Sequence, residues 1–160
     1  MNILVTGGAG YIGSHTVRAL QQAGYTPIIV DNLSRGHVES IPEGVKFYNM
    51  DIADPKLVGI MKEHNILGVM HFAAHSQVGE SMQNPAIYYE NNVVGSYHLI
   101  ESGRTAGIKH FVFSQNLLLK YGQAAWTDKM PQQYQVLHIL RGKAKNQKAF
   151  QWHDQSCVQN

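Results

Sequence analysis

The seven residues Gly7-Gly8-Ala9-Gly10-Tyr11-Ile12-Gly13 hold four glycines in a pattern able to cradle a phosphate. Gly-x-Gly-x-x-Gly begins at Gly8, and Gly-x-x-Gly-x-x-Gly begins at Gly7. Glycine suits these places because the turn needs unusual backbone angles, a pyrophosphate must approach the main chain, and the helix must pack close to the strand. The N–H groups freed at a helix start then point at the phosphates. A plain glycine turn has the same composition. Context separates the two, and here an apolar run precedes the glycines and a helical pattern follows them. Asp31 supplies the second half of the signal, 18 residues beyond Gly13. A carboxylate there accepts hydrogen bonds from an adenosine ribose, and its charge repels a 2′-phosphate, which favours NAD over NADP. An ordinary surface Asp in a turn before Asn32 is the other reading of that residue.

The elements that must hold these groups are visible in the hydrophobic pattern. Ile3-Leu4-Val5 reads as a short buried strand. Residues 11–23 read as a helix with Ile12, Val17 and Leu20 on one side, and Gly24 stands where a C-terminal cap belongs. Pro27-Ile28-Ile29-Val30 is a second strand ending at Asp31, and residues 45–49 are a third. A helix over 55–64 turns Leu57, Ile60 and Met61 inward. Residues 69–74 form a fourth strand, 85–106 a long helix, and 109–114 a fifth strand. Such alternation with nearly continuous apolar strands predicts an α/β fold, a doubly wound parallel sheet of the dinucleotide-binding, Rossmann-like kind.

Composition bounds the rest. The chain has 160 residues, 44% hydrophobic and 15% charged, which suits one globular domain and excludes collagen and disulfide scaffolds. No apolar run approaches the roughly 18 residues needed to span a bilayer. Cys157 is the only cysteine, so an intramolecular disulfide is impossible and no cysteine metal site can form. The histidines, His71 and His75 among them, lack metal-ligand spacing and read as groove or core residues. A cytoplasmic protein is the expectation. The net charge of +2 hides a split: residues 1–114 carry seven basic and nine acidic side chains, and residues 115–160 carry six basic and two acidic. The second segment also holds both tryptophans, nine of thirteen glutamines and only two of fifteen glycines. Residues 1–114 are thus expected to be the NAD-binding domain, and 115–160 a tail of another character.

Residues 1–114 resemble the N-terminal part of the UDP-glucose 4-epimerase family, in the extended short-chain dehydrogenase/reductase superfamily. Four segments carry the likeness: Val5 through His15, Asp31-Asn32-Leu33-Ser34-Arg35-Gly36, His71-Phe72-Ala73-Ala74-His75-Ser76-Gln77-Val78-Gly79-Glu80-Ser81, and Tyr88 through Val93. The glycine loop belongs to the whole superfamily, and the third segment points to the epimerase. By this resemblance Gly7, Gly10, Tyr11, Ile12 and Gly13 bind the pyrophosphate of NAD, and Asp31 through Gly36 surround the adenosine ribose. Asp51 and Ile52 contact adenine, Phe72 through Ser76 line the nicotinamide half, and Asn91 reaches the same cleft. Taken without it, Phe72, Ala73 and Ala74 read as strand-end core and Asn91 as a helix surface residue. The family interconverts UDP-glucose and UDP-galactose: a tyrosinate takes the 4-hydroxyl proton while hydride passes to NAD, the keto sugar turns over, and hydride returns to its other face. A lysine four residues after that tyrosine lowers its pKa. The resemblance also implies a UDP-sugar substrate, a homodimer for the full-length family, and no nucleic-acid or membrane partner. Another nucleotide-sugar epimerase or dehydratase, or a non-catalytic NAD-binding module, are the alternatives.

The likeness stops at the fifth strand. The family pattern there is Ser-Ser-[Ser/Thr]-Ala-x-x-Tyr-Gly, whereas this chain reads Ser114-Gln115-Asn116-Leu117. No tyrosine has a lysine at the fourth position after it, and Tyr134 with His138 is the nearest imitation. No catalytic residue is therefore assigned, and the chain is expected to be a truncated, inactive fragment. Loss of the reading frame near Ser114 would explain the break; a real alternative tail is the other explanation. Arg141, Lys143, Lys145 and Lys148 form a basic cluster that reads as a solvated run rather than a nucleic-acid contact. Leu137-His138-Ile139-Leu140 fits a strand or a helix equally.

Overall fold

Five apolar runs become five parallel strands in the computed structural model, which describes residues 1–113. They are β1 (Asn2–Thr6), β2 (Thr26–Asp31), β3 (Lys46–Asn49), β4 (Ile66–His71) and β5 (His110–Phe113), in the order β3-β2-β1-β4-β5. The helices are α1 (Tyr11–Gln22), α2 (Leu57–Glu63), α3 (Val78–Gln83), α4 (Pro85–Tyr89) and α5 (Ser96–Ala106), with a π-helical turn at Glu90–Gly95 between the last two. A short 3₁₀ turn spans Val38–Ser40. Among these helices none is long and apolar enough to cross a membrane. Ser114 and the tail, with Asn116, Tyr134, His138, the basic cluster and residues 137–140, lie outside the described residues.

The period-two alternation of the strands sorts side chains into two cores. Ile3, Val5 and Ile29 point to the face covered by α1, where they meet Val17 and Leu20. Leu4, Ile28, Val30 and Val69 point to the other face and pack with Leu57 and Met61 of α2, Leu99 of α5, and Phe111. This is the doubly wound sandwich that the alternating pattern predicts. Chain order reverses between β1 and β4, which leaves a crevice at the carboxyl ends of the strands. Gly24 (φ +79°) ends α1 as expected: its amide donates to Gln21 O and that of Tyr25 to Leu20 O, the two bonds of a Schellman cap. Ile12 departs from its expected place. It lies on the open side of α1, 49% exposed, while Gly13 and Ser14 take the sheet-facing positions.

Several boundaries move for identifiable reasons. β4 begins at Ile66 rather than residue 69, because Asn65 (φ +48°) turns the chain straight out of α2. A register irregularity then pairs Asn2 with Ile66 but Ile3 with Gly68, setting Leu67 outside the regular ladder. The strand stops at His71, although the Phe72 amide still donates to Thr6 O at 2.8 Å, and a tight turn from Ala74 N to Phe72 O follows. The long helix expected over 85–106 is divided by the π turn. α3 was not expected, since Val78 and Met82 leave it with no apolar face toward the core. α2 starts at Leu57 instead of residue 55, because Asp54 caps the preceding turn through the Lys56 amide at 2.8 Å.

His71 is buried at 1% exposure between the strands and α5. Its Nδ1 is hydrogen-bonded to Thr6 Oγ1 at 2.7 Å and its Nε2 to Ser96 Oγ at 3.2 Å, with the Phe113 ring edge-on at 5.2 Å. Both hydroxyls rotate to suit a neutral ring. Burial lowers its pKa from 6.5 to about 4. The unfolded chain thus takes up this proton first as pH falls, and stability is lost between about 6.5 and 4. The expected loss from this group is about 3 kcal/mol, and it is complete below the folded value. Urea unfolding at a series of pH values checks it: His71→Asn should flatten the slope across that window, and an unchanged slope would refute the assignment.

Candidate functional site

The crevice above β1 and β4 is an open groove at the carboxyl ends of the strands, the place where sheets of this kind take their ligands. Its floor is the glycine loop. Gly7 (φ +72°) turns the chain out of β1 with its amide on Val30 O at 2.9 Å, and its carbonyl receives the Gly10 amide at 3.1 Å. A Cβ on Gly7 would stand 2.5 Å from Ala73 N, and one on Gly13 only 2.0 Å from Gly7 O. These two glycines therefore allow backbone to lie on backbone. A Cβ on Gly10 would meet only Gly7 O, at 3.2 Å, so that position is open on its other sides. The first-turn amides of α1 have no intrahelical acceptor, and no side chain caps them. Open main chain beside uncapped amides suits a pyrophosphate.

Asp31 closes the β2 end, 6% exposed. Its Oδ2 accepts from Ala9 N at 3.0 Å and its Oδ1 from Leu33 N at 2.8 Å. Each oxygen keeps a lone pair, which is what two ribose hydroxyls require. Asn32, Ser34, Arg35 and Gly36 follow along the same wall. Asn32 Nδ2 reaches across to Asp51 Oδ2 at 2.9 Å, and Asp51 holds its own turn by accepting from Ala53 N at 2.9 Å. Ile52 belongs both to the core and to the groove lining.

The opposite wall is Phe72-Ala73-Ala74-His75, held in place by the π turn. Asn92 pairs with the main chain of His75 in both directions, accepting from its amide and donating to its carbonyl, each at 2.9 Å. Asn91 Nδ2 donates to Ala73 O at 3.2 Å and to Asn92 Oδ1 at 2.8 Å. Burial, and then the neighbouring Arg35 guanidinium, hold the His75 imidazole below its usual range. At the rim Arg35 Nη2 donates to Glu80 Oε2, and Tyr88 Oη donates to the same oxygen at 2.8 Å. The Tyr88 bond, with Arg35 beside it, holds the Glu80 carboxyl below the ordinary carboxylate range.

Fourteen of the residues singled out from the sequence line this one groove: Gly7, Gly10, Asp31, Asn32, Ser34, Arg35, Gly36, Asp51, Ile52, Phe72, Ala73, Ala74, His75 and Asn91. Five do not. Tyr11 stands out from α1 at 82% exposure with its ring against His15, and Ile12 is likewise exposed. Gly13 is buried under Gly7, Leu33 (φ +59°) turns the loop behind Asp31, and Ser76 lies exposed beyond His75. Sequence reasoning missed Met50, which lines the groove beside Asp51, and Asn92, which fixes the opposite wall. Position next to Asp51 was the only available signal for Met50, and membership of the Tyr88–Val93 segment the only one for Asn92. Among the described residues no lysine lines the groove, and no cluster of three metal-ligating side chains exists. The arrangement can bind and orient a dinucleotide.

Gly13→Ala drives a Cβ into main chain that cannot step aside, and should cost about 1–3 kcal/mol in urea unfolding. Gly59→Ala, on the open side of α2 where a Cβ meets nothing within 4 Å, should instead gain about 0.5–1 kcal/mol from helix propensity. Equal effects at the two positions would contradict the backbone contact.

A model of the NAD dependent epimerase/dehydratase family matches residues 3–116. The UDP-glucose 4-epimerase of Rhizobium meliloti (strain 1021) is 48% identical over 114 residues, 71% of this chain and 34% of that protein. The crystal structure of the Thermotoga maritima UDP-glucose 4-epimerase with UDP-glucose matches with a TM-score of 0.68 at 44% identity, covering 71% of this chain and 37% of that one. The Brucella ovis enzyme in complex with NAD gives a TM-score of 0.68 at 43% identity, over 70% and 34%. This chain spans about a third of the length of the curated relatives it matches. On sheet, groove and family match together, the chain belongs to the NAD dependent epimerase/dehydratase family.

Proposed function

We propose that residues 1–114 bind NAD in this groove, as the dinucleotide-binding part of a protein that interconverts UDP-glucose and UDP-galactose. The observation that carries it is the pairing of an open glycine loop under uncapped helix amides with the Asp31 carboxylate on the same groove. Gly10 and the first turn of α1 would hold the pyrophosphate, Asp31 the adenosine ribose, and Asp51 with Ile52 the adenine. Phe72 through His75, fixed by Asn91 and Asn92, would orient the nicotinamide half and keep water from it. NAD, when bound, supplies a hydride acceptor for the sugar C4. The described epimerases with UDP-glucose and with NAD support the substrate and cofactor classes.

The second reading is that these 160 residues bind the dinucleotide without epimerising. No Tyr-x-x-x-Lys pair occurs anywhere in the sequence, and Asn116 stands where the family pattern has its Ser or Thr. The frame-loss account of residues 115–160 belongs with this reading, and sequencing the encoding DNA in all frames past the Ser114 codon tests it. A single cysteine fits a cytoplasmic setting. The exposed apolar residues Tyr89, Val93 and Tyr97 on one stretch of helix support the homodimer of the full-length family.

Calorimetry on the 160-residue chain should show NAD bound more tightly than NADP. Asp31→Asn keeps an acceptor for one of the two loop amides, sets an NH2 against the other and removes the charge. It should weaken NAD about 10-fold or more, on the scale of a charged hydrogen bond, and narrow the gap to NADP. A preference for NADP in the unmodified chain would contradict the assignment. In a coupled assay from UDP-galactose, protein made in a host lacking its own epimerase should show no turnover. Loss of a positioned general base alone costs about 10²–10⁴ in rate, so turnover on the ordinary scale of ~1–10³ per second would overturn the second reading.

A further inference from the structure

Resting on the NAD reading of the groove, we propose that Glu80 helps set the choice between NAD and its 2′-phosphorylated form by occupying Arg35. The wall after β2 carries both signs of charge where the adenosine ribose would lie. Asp31 is the negative group, with one main-chain amide on each carboxylate oxygen. Arg35 is the positive group, lining the same groove beside Ser34. In dinucleotide-binding sheets an Arg near this point accommodates a 2′-phosphate, because its planar fork matches the phosphate oxygens.

In this chain that Arg is engaged elsewhere. Its Nη2 donates to Oε2 of Glu80 on α3, 45 residues along the chain. The carboxylate is itself positioned from a second element. Tyr88 of α4 donates to the same oxygen at 2.8 Å and lies 2.7 Å from Gln77 O, and its ring stands edge-on to His75 at 5.6 Å. Glu80 is therefore presented to Arg35 rather than meeting it as a loose surface charge. A 2′-phosphate entering here faces two carboxylates and a cation already neutralised. A 2′-hydroxyl asks nothing of Arg35, so NAD leaves the pair intact. Glu80 is a positioning residue that acts through Arg35. Both side chains of the pair are partly exposed, so its contribution is a factor of about five, not an absolute bar; Asp31 carries the rest.

The test compares dissociation constants of NAD and NADP, by calorimetry on the full 160-residue chain, for four proteins. These are the unmodified chain, Glu80→Gln, Glu80→Ser and the double variant Glu80→Gln/Arg35→Met. Each Glu80 variant should tighten NADP about fivefold while NAD stays within about twofold. The double variant should lose the gain. The gain should also shrink between about 0.05 and 0.5 M salt, as screening shortens the reach of Arg35. A gain that survives without Arg35, equal shifts for both dinucleotides, or an unmoved NADP constant beside intact NAD binding overturns this inference alone. A folded unmodified chain that binds neither dinucleotide overturns the NAD reading and this inference with it.

Discussion

The main chain of Gly7 lies on the main chain of Phe72 and Ala73, closer than any side chain would permit. Gly13 in turn sits on the carbonyl of Gly7. Two strands that are neighbours in the sheet, β1 and β4, are thereby joined to the start of α1 at one point. Everything in the groove is measured from it: how near the uncapped amides come to the crevice, where the wall at 72–75 begins, and how deep the floor lies. Backbone cannot change rotamer to relieve a collision. That makes this stack of peptide groups the least adjustable part of the molecule, and puts it where a phosphate needs a fixed surface.

Below the stack the structure spends polar side chains to keep β1, β4 and α5 in register. His71 stands at the end of β4 and ties Thr6 of β1 to Ser96 of α5. Among the described residues no buried side-chain polar atom lacks a hydrogen-bond partner, so this polar link is compatible with a dry core. The register it fixes matters to the groove because Phe72 follows His71 at once, and a slip by one residue would exchange the faces of the strand. Above the stack the restraint is of another kind. The loop at 32–36 and the helix α3 meet through partly exposed side chains, Arg35 and Glu80. The floor is set by backbone packing and the rim by charge.

The floor was legible in the sequence and the rim was not, for a physical reason. Glycines at fixed spacing between a strand and a helix announce a close approach of main chain, and Asp31 at the end of an apolar run announces a carboxylate beside them; both signals are local. The sheet followed from short, nearly continuous apolar runs, which suit strands buried on both faces. Leu67 shows where this fails: the register irregularity at Ile66–Gly68 leaves it exposed, and Gly68 interrupts the apolar run ahead of Val69. The π turn left no trace because a helix with one wide turn keeps nearly the same composition as one without. Its consequence is that Asn91 and Asn92 both reach the 73–75 loop. Arg35 and Glu80 are 45 residues apart, and only the fold brings them together.

The division between floor and rim also orders what each part of a dinucleotide can gain. A pyrophosphate would meet main-chain amides already fixed before it arrives, so little would be lost to ordering. Asp31 is equally prepared, since Ala9 N and Leu33 N hold its two oxygens in place. The wall at 72–75 depends on two asparagine side chains for its shape. On the proposed NAD reading, affinity resides mainly in the adenosine diphosphate half, where the groove is fixed by backbone, and the other half supplies orientation. The wall at 72–75 is thus positioned by side chains, and the floor of the groove is positioned by the sheet itself.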